Sequence, residues 1–106
     1  MGYYTDFYLK ADNVSEKEAD SIGQMLADFF TLESWGVENE WSGKDKWYDY
    51  ESDMRAISEE FPDALFTIDG HGEDYEDIWR AWFKNGKMQF CEAQIVYADF
   101  DEQKMT

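Results

Sequence analysis

The stretch IWRAWFKNGKMQFCE, residues 78–92, decides the fold, because it places an Asn-Gly pair between two apolar runs. Asn85 and Gly86 tolerate the positive φ angles that a two-residue type I′ turn requires. The sequence therefore predicts an antiparallel hairpin. The cross-strand pairs on the face that we expect to be core are Trp79–Glu92, Ala81–Phe90 and Phe83–Met88. The pairs on the opposite face are Arg80–Cys91 and Trp82–Gln89.

The first thirty residues predict a strand followed by a helix. YYTDFYLKA, residues 3–11, alternates between two sets of side chains, which is typical of a strand. SEKE, residues 15–18, has capping-box spacing, so Ser15 and Glu18 can each satisfy a free backbone N–H at a helix start. Apolar residues then recur at helical intervals: Ala19, Ile22, Met25, Leu26, Phe29 and Phe30. We expect this helix to pack on the sheet.

A second helix is predicted to begin after Asp49 and to end near Pro62. Its apolar face consists of Tyr50, Met54, Ile57 and Phe61. Residues 64–69, ALFTID, then predict a buried strand.

Two other segments are harder to assign. Residues 34–48 contain strand-like aromatic residues interrupted by Gly43, and their register stays open. Beyond the hairpin, the apolar parity changes from Met88 and Phe90 to Ile95 and Tyr97, which predicts a bulge or bend near residues 91–94.

Together these elements predict an α+β domain with a mostly antiparallel sheet of four to five strands and two helices on one face. A ferredoxin-like arrangement is one candidate. The length of 106 residues predicts a single domain, 1–106, with a loose acidic C-terminal end at about 99–106. The uncovered face of the sheet would carry some of Tyr4, Tyr8, Arg80, Trp82 and Gln89.

The charge is the largest departure from an ordinary domain, with 25 acids against 9 bases and a formal net charge of −16. Such a chain repels phosphate, so we expect no direct binding of nucleic acid and no binding to anionic membranes. It lacks an apolar run of membrane-spanning length and a secretion signal, and its one cysteine, Cys91, cannot form an internal disulfide. We therefore expect a soluble, cytoplasmic protein, either monomer or homodimer, whose partner is a basic protein surface.

The stretch GHGEDYEDIW, residues 70–79, is the main candidate for chemistry, since it holds the only histidine among carboxylates. His71, Glu73 and Asp74 are candidate ligands of a divalent metal ion. A calcium loop starting at Asp69 would need glycine at Asp74 and glutamate at Arg80, so that template fails twice. A nucleophilic pair of Cys91 and His71 is also disfavoured, because Cys91 within a strand beside Phe90 is expected to be inert. We predict a solvated acidic loop with no catalytic residue, metal ion or cofactor.

Partner binding is the better-supported expectation. Trp82 lies opposite the core face of the hairpin and is a candidate anchor of the kind found at interface centres. The acids expected to join it are Glu38, Glu40, Glu73, Asp74, Glu76 and Asp77. Imitation of nucleic acid would require acids to crowd onto one side of the molecule, whereas an acidic surface without special purpose is the simpler alternative.

Four phrases carry a resemblance: MGYYT at the start, KWYDYESDM at 46–54, FPDALFTIDGHGED at 61–74 and DIWRAWFKNGKMQ at 77–89. They resemble a group of small uncharacterised proteins of bacteriophage and related bacterial genomes, whereas residues 13–45 are individual to this chain. The resemblance implies a phage-like origin and host-cytoplasmic location, and it transfers no catalytic residues.

The leading expectation is a non-enzymatic inhibitor of a host nucleic-acid-handling or anti-phage defence complex, CRISPR systems included. The alternatives are a small metal-dependent enzyme or nucleotide-binding protein that uses residues 70–77, and a structural or assembly protein.

Overall fold

The computed structural model describes residues 2–35 and 39–106. The chain forms, in order, strand β1 (Thr5–Asp12), helix α1 (Glu16–Phe29), strands β2 (Leu32–Trp35) and β3 (Glu40–Asp45), helix α2 (Tyr50–Glu60), and strands β4 (Leu65–Gly72), β5 (Ile78–Lys84) and β6 (Lys87–Glu92). A short 3-10 turn, Glu102–Lys104, lies near the C-terminus. The fold is therefore α+β, as the sequence predicts.

The strands form one sheet in the order β2-β3-β1-β4-β5-β6, and every neighbouring pair is antiparallel. The sheet has six strands where the sequence predicts four to five, because the segment at 32–45 supplies two strands. The hairpin register is as predicted, with Phe83 opposite Met88 and Trp82 opposite Gln89. Asn85 (φ 48°) and Gly86 (φ 79°) both take the positive φ angles of the predicted turn.

The hydrophobic core lies on one face of this sheet. Alternate residues of β1, namely Phe7, Leu9 and Ala11, are buried there. Both helices add their apolar residues to the same cluster, which includes Leu26 of α1 and Met54 of α2. The two helices therefore cover one face, and we call the other, uncovered face the open face.

Helix α1 begins at the predicted capping box. Ser15 N–H donates to Glu18 Oε1 at 2.9 Å, and Glu18 N–H donates to Ser15 Oγ at 3.1 Å. These two bonds satisfy donors that a helix start leaves without intrahelical partners, so they fix where the helix begins.

Helix α2 is tied to the β5–β6 turn by a buried serine. Ser58 is 0% exposed, and its Oγ accepts from Gly86 N–H at 2.8 Å and donates to Arg55 O at 2.8 Å. Arg55 Nη1 also donates to Gly86 O at 3.0 Å. Asp49 lies at the helix start as predicted, but its side chain makes no capping hydrogen bond.

One local expectation differs from the structure. Gly43 lies inside β3 and does not interrupt it; a Cβ there would meet Thr31 O, so glycine permits the close approach of two backbones. Near residues 91–94, where a bulge or bend is predicted, β6 ends at Glu92, and the residues beyond Ala93 form an exposed segment without strand structure. Residues 36–38, within the segment whose register stays open, lie outside the described residues.

We expect Ser58→Ala to lower the free energy of unfolding by about 1–3 kcal/mol, because Gly86 N–H would lose its acceptor in a buried place. Ser52→Ala is a matched control on the same helix, since Ser52 is exposed and donates only to Asp49 O. That control should change the free energy of unfolding by less than about 0.5 kcal/mol. Urea denaturation measures both, and equal effects would contradict the role given to Ser58.

Candidate functional site

The open face of the sheet carries most of the basic residues of the chain. Cross-strand register and alternation place five bases on it, and Lys46 extends this set just beyond β3, where its Nζ lies 5.1 Å from the Tyr4 ring centroid. The six bases are Lys10, Lys44, Lys46, Arg80, Lys84 and Lys87. The acids within strands on this face are Asp6, Asp12, Glu40 and Asp69. The open face is therefore close to neutral, with a small excess of bases.

Acids and bases on the open face pair with one another. Arg80 holds Asp69 in a two-bond arrangement, Nε to Oδ1 at 2.5 Å and Nη2 to Oδ2 at 2.9 Å. These hydrogen bonds, together with the charge of Asp69, raise the pKa of Arg80. Lys44 Nζ lies 3.8 Å from Asp6 Oδ1. Three of the four acids on this face therefore have a basic partner within 4.0 Å.

A shallow groove of about 320 Å³ crosses the open face over β4, β5 and β6. The side chains that line it from this face are Asp69, His71, Ile78, Arg80, Trp82 and Cys91. Trp82 is half-buried here, on the side opposite buried Trp79, as the hairpin register predicts. The groove has an aromatic wall and a compensated ion pair, so it offers contact area and little net charge.

The excess acid of the molecule lies on the helix side and at the end of the sheet. The two helices with their flanking residues carry ten acids and only two bases, Lys17 and Arg55, and the β4–β5 loop adds four more acids. We call this set the acidic surface. It consists of Glu16, Glu18, Asp20, Asp28, Asp49, Glu51, Asp53, Glu59, Glu60, Asp63, Glu73, Asp74, Glu76 and Asp77. Arg55 Nη2 forms an ion pair with Glu51 Oε2 at 3.2 Å. Lys17 is therefore the one base among these residues without an ion-pair partner in the described part of the chain.

The β4–β5 loop is ordered by a tyrosine from the start of the chain. Tyr3 OH donates to Asp77 Oδ2 at 2.8 Å and accepts from Asp74 N–H at 3.1 Å. The Asp74 N–H bond alone would lower the pKa of Tyr3. Loss of solvent and the Asp77 and Asp74 carboxylates outweigh it, so the pKa of Tyr3 is raised above 10.0. The phenol thus stays a hydrogen-bond donor, and its stabilising effect is lost only as the pH rises through that raised pKa.

The glycines of GHGEDYEDIW serve close packing. A Cβ on Gly70 would overlap the ring of Trp79, and one on Gly72 would overlap the Asp77 carboxylate and Tyr3 OH. Neither glycine takes a positive φ; among the described glycines only Gly86 does. Gly70, His71 and Gly72 belong to β4, so the acidic loop proper is residues 73–77.

Two of the candidate metal ligands, His71 and Glu73, line one surface pocket, but the three candidates do not form a ligand cluster. His71 points to the open face, where its ring lies 5.4 Å from the Tyr8 ring, while Asp74 lies in the loop held by Tyr3. Over residues 2–35 and 39–106, no group of three or more His, Cys, Asp or Glu side chains is arranged to hold a metal ion. Cys91 lies within strand β6, as the sequence predicts, but it is exposed, and it lines the same groove as His71.

The acids expected at a partner-binding site fall into separate places. Glu73, Asp74, Glu76 and Asp77 share the loop, at the end of the sheet where β1 begins. Glu40 pairs with Lys10 on the open face, about 17 Å along the strand direction from that end. Glu38 lies outside the described residues. The acids of α1 and α2 form the larger group. Its signal in the sequence is the helical spacing of Glu16, Asp20 and Asp28 on the exposed side of α1.

No protein-family model, no curated protein and no solved structure is significantly similar to this chain. Within residues 2–35 and 39–106, neither helix has the length and apolar character needed to cross a lipid bilayer.

We expect Tyr3→Phe to loosen the β4–β5 loop, because Asp74 N–H and the Asp77 carboxylate both lose their partner. Hydrogen exchange at the Asp74 amide should become several-fold faster. Tyr75→Phe is the matched control, since Tyr75 is exposed in the same loop, and it should leave exchange unchanged.

The difference in the free energy of unfolding between Tyr3→Phe and the parent, measured in urea, should be present at neutral pH and fade above pH 10, where the phenol ionises. Unchanged exchange in Tyr3→Phe would contradict this account.

Proposed function

We propose that this chain is a non-enzymatic binding protein whose acidic surface contacts a basic surface on a partner protein. The observation that carries the proposal is the separation of charge between the two sides of the molecule. Among the described residues, the open face holds six bases and, within its strands, four acids, whereas the acidic surface holds fourteen acids and two bases. An uneven distribution of this kind steers association with a positively charged partner and sets its orientation.

The described residues form no cluster of three or more metal-ligating side chains, which favours binding over metal-dependent catalysis. His71 and Cys91 line one groove, but that groove also holds the paired Asp69 and Arg80 side chains, and Asp74 and Asp77 of the loop are held by Tyr3. By contrast, the acids of α1 are exposed on one continuous helix, which sets the spacing of their backbone positions. A preformed helix avoids the backbone entropy cost of ordering a flexible segment when a partner binds.

The density of charge limits how closely this surface can imitate nucleic acid. Sixteen net charges over 7517 Å² amount to about one per 470 Å², and twelve net charges over roughly half that area amount to about one per 310 Å². Duplex DNA, as a rod about 20 Å wide, carries about one charge per 100 Å². We therefore propose that the acidic surface competes with nucleic acid for a basic site through general charge complementarity. A surface that copies the charge spacing of a DNA duplex is the less favoured alternative.

The partner that fits best is a host nucleic-acid-handling or anti-phage defence complex, because such complexes present basic surfaces that normally hold phosphate. The proposal of a phage origin depends on the four phrases that resemble small phage proteins. Trp82 and the groove on the open face would then lie away from the acidic contact and stay available for a second surface.

We also propose that the first part of the chain has ferredoxin-like connectivity. The element order β1-α1-β2-β3-α2-β4 and the strand neighbours β4-β1-β3-β2 support it, since two β-α-β units are then interleaved in one antiparallel sheet. Strands β5 and β6 extend that unit at the β4 edge. This fold hosts many activities, so the functional proposal depends on the surface charges and not on the connectivity.

The acidic surface is tested with two triple variants that have the same net charge. Glu16→Gln, Asp20→Asn and Asp28→Asn neutralise acids on the exposed side of α1, whereas Asp6→Asn, Asp12→Asn and Glu40→Gln neutralise acids on the open face. The first triple variant should bind its partner about ten-fold more weakly, given about 0.5 kcal/mol for each exposed charge pair. The second should bind like the parent.

The measurement is retention of proteins from a nuclease-treated bacterial lysate on the immobilised chain, quantified for the parent and both variants. Retention by the parent should fall in high salt and on addition of duplex DNA, because salt screens exposed charges and DNA occupies the basic site. Retention that is indifferent to salt and DNA would refute the proposal. Equal losses in the two triple variants would show that net charge alone acts and would refute the assignment to the acidic surface.

A further inference from the structure

The two edges of the sheet differ in how well they are protected from pairing with another strand. Strand β2 has four residues and a register irregularity between Leu32 and Ser34. Strand β6 has six residues in unbroken register with β5. Short, irregular edge strands resist edge-to-edge pairing, whereas a regular edge strand presents a row of free hydrogen-bonding groups. The β6 edge is therefore the one that is free to pair with another strand.

The hydrogen-bond pattern shows which groups of β6 are free. Ala93 N–H donates to Ile78 O at 2.9 Å, and Lys87 pairs with Lys84 across the two-residue turn. Odd-numbered residues of β6 therefore bond to β5. The even-numbered residues, Met88, Phe90 and Glu92, direct their N–H and C=O groups to the free edge.

Apolar surface is also left uncovered at this edge. Phe90 lies on the helix side of the sheet, 5.7 Å from the Trp79 ring, yet it is 47% exposed. The chain that follows β6 adds further large exposed apolar residues, among them Ile95, Val96, Tyr97 and Phe100. Exposed apolar residues concentrated in one region mark an interaction surface.

Charge complementarity indicates what occupies this edge. Lys84 and Lys87 lie directly opposite each other at the end of the β5–β6 hairpin, which is unfavourable for like charges, and neither has an ion-pair partner in the described part of the chain. The exposed C-terminal segment carries Asp99, Asp101 and Glu102 directly after its apolar residues. A second copy of the chain can supply this segment to the lysine pair.

We propose that two copies of this chain pair through their β6 strands, antiparallel about a two-fold axis at Phe90. Such pairing joins the free groups of Met88, Phe90 and Glu92 to those of the second copy and sets the two Phe90 rings side by side. It also directs each C-terminal segment past the turn of the other copy. In this register Ala93 lies opposite Lys87 of the second copy, so the C-terminal segment begins beside the second copy's lysine pair.

Cys91 reports on this arrangement without engineering, because it is the only cysteine and is exposed in the middle of β6. In the proposed register the two Cys91 Cα atoms lie about 8 Å apart, from strand spacing and rise per residue. A short bis-maleimide should therefore produce a covalent dimer in high yield at protein concentrations where light scattering finds dimers. The dimer should dissociate on dilution.

Glu92→Pro removes one N–H that points to the free edge and leaves the ladder to β5 intact, so it should weaken dimerisation at least ten-fold. Glu92→Ala is the matched control, since it also removes the carboxylate but keeps the N–H, and it should dimerise like the parent.

Deletion of residues 94–106 is a second variant that keeps the β5–β6 ladder, and it should weaken dimerisation. Circular dichroism checks that Glu92→Pro and the deletion variant are folded. A parent that stays monomeric over a hundred-fold concentration range would overturn the proposal. So would a dimer whose Cys91 cross-linking is unaffected by both Glu92→Pro and the deletion.

Discussion

The structure depends on an aromatic cluster that closes one face of the sheet. The Phe7 ring lies at its centre, with centroids 5.4 Å from Trp47, 5.6 Å from Phe30, and 6.2 Å from both Tyr50 and Trp79. These rings come from β1, the end of α1, the segment before α2, α2 itself and β5. Each such pair contributes about 0.5–1.5 kcal/mol beyond its buried area. Because all of them converge on one side, both helices must lie on that side.

The distribution of charge follows from this one-sided core. Strand residues that point away from the cluster reach solvent directly, and there the chain places acids and bases opposite each other, as in Asp6 with Lys44 and Asp69 with Arg80. Helices have only one face in contact with the core, so their outer sides are free to carry acids with few bases. The β4–β5 loop adds four acids at the end of the sheet, where Tyr3 holds it in place. Most of the excess negative charge therefore lies on the acidic surface.

Much of this fold could be predicted from short-range patterns. The Asn85-Gly86 turn fixed its hairpin register, and the Ser15–Glu18 capping box fixed the start of α1, because both depend on residues adjacent in sequence. The number of strands was underestimated, since Gly43 reads as a strand breaker until the contact of β3 with Thr31 O is known. That contact joins residues from different elements and leaves no local signal.

The candidate site was less predictable for the same reason. Composition revealed the excess of acids, and the loop at residues 73–77 was found by its sequence. The separation of acids from bases could not be seen, because it depends on which strand faces are covered and on which strands become neighbours. The role of Tyr3 in ordering that loop joins residues more than seventy positions apart. The free β6 edge likewise emerges only from the order of strands in the sheet.

The claim that charge is segregated between the two sides is tested most directly by nuclear magnetic resonance with paired paramagnetic probes, one cationic and one anionic. The ratio of the relaxation rate caused by the cationic probe to that caused by the anionic probe reports the electrostatic potential near each amide. The account predicts a strong preference for the cationic probe along the exposed side of α1 and in residues 73–77, and a ratio near or below one over Tyr8, Arg80 and Lys84 on the open face. A ratio that is uniform over the whole surface would contradict it.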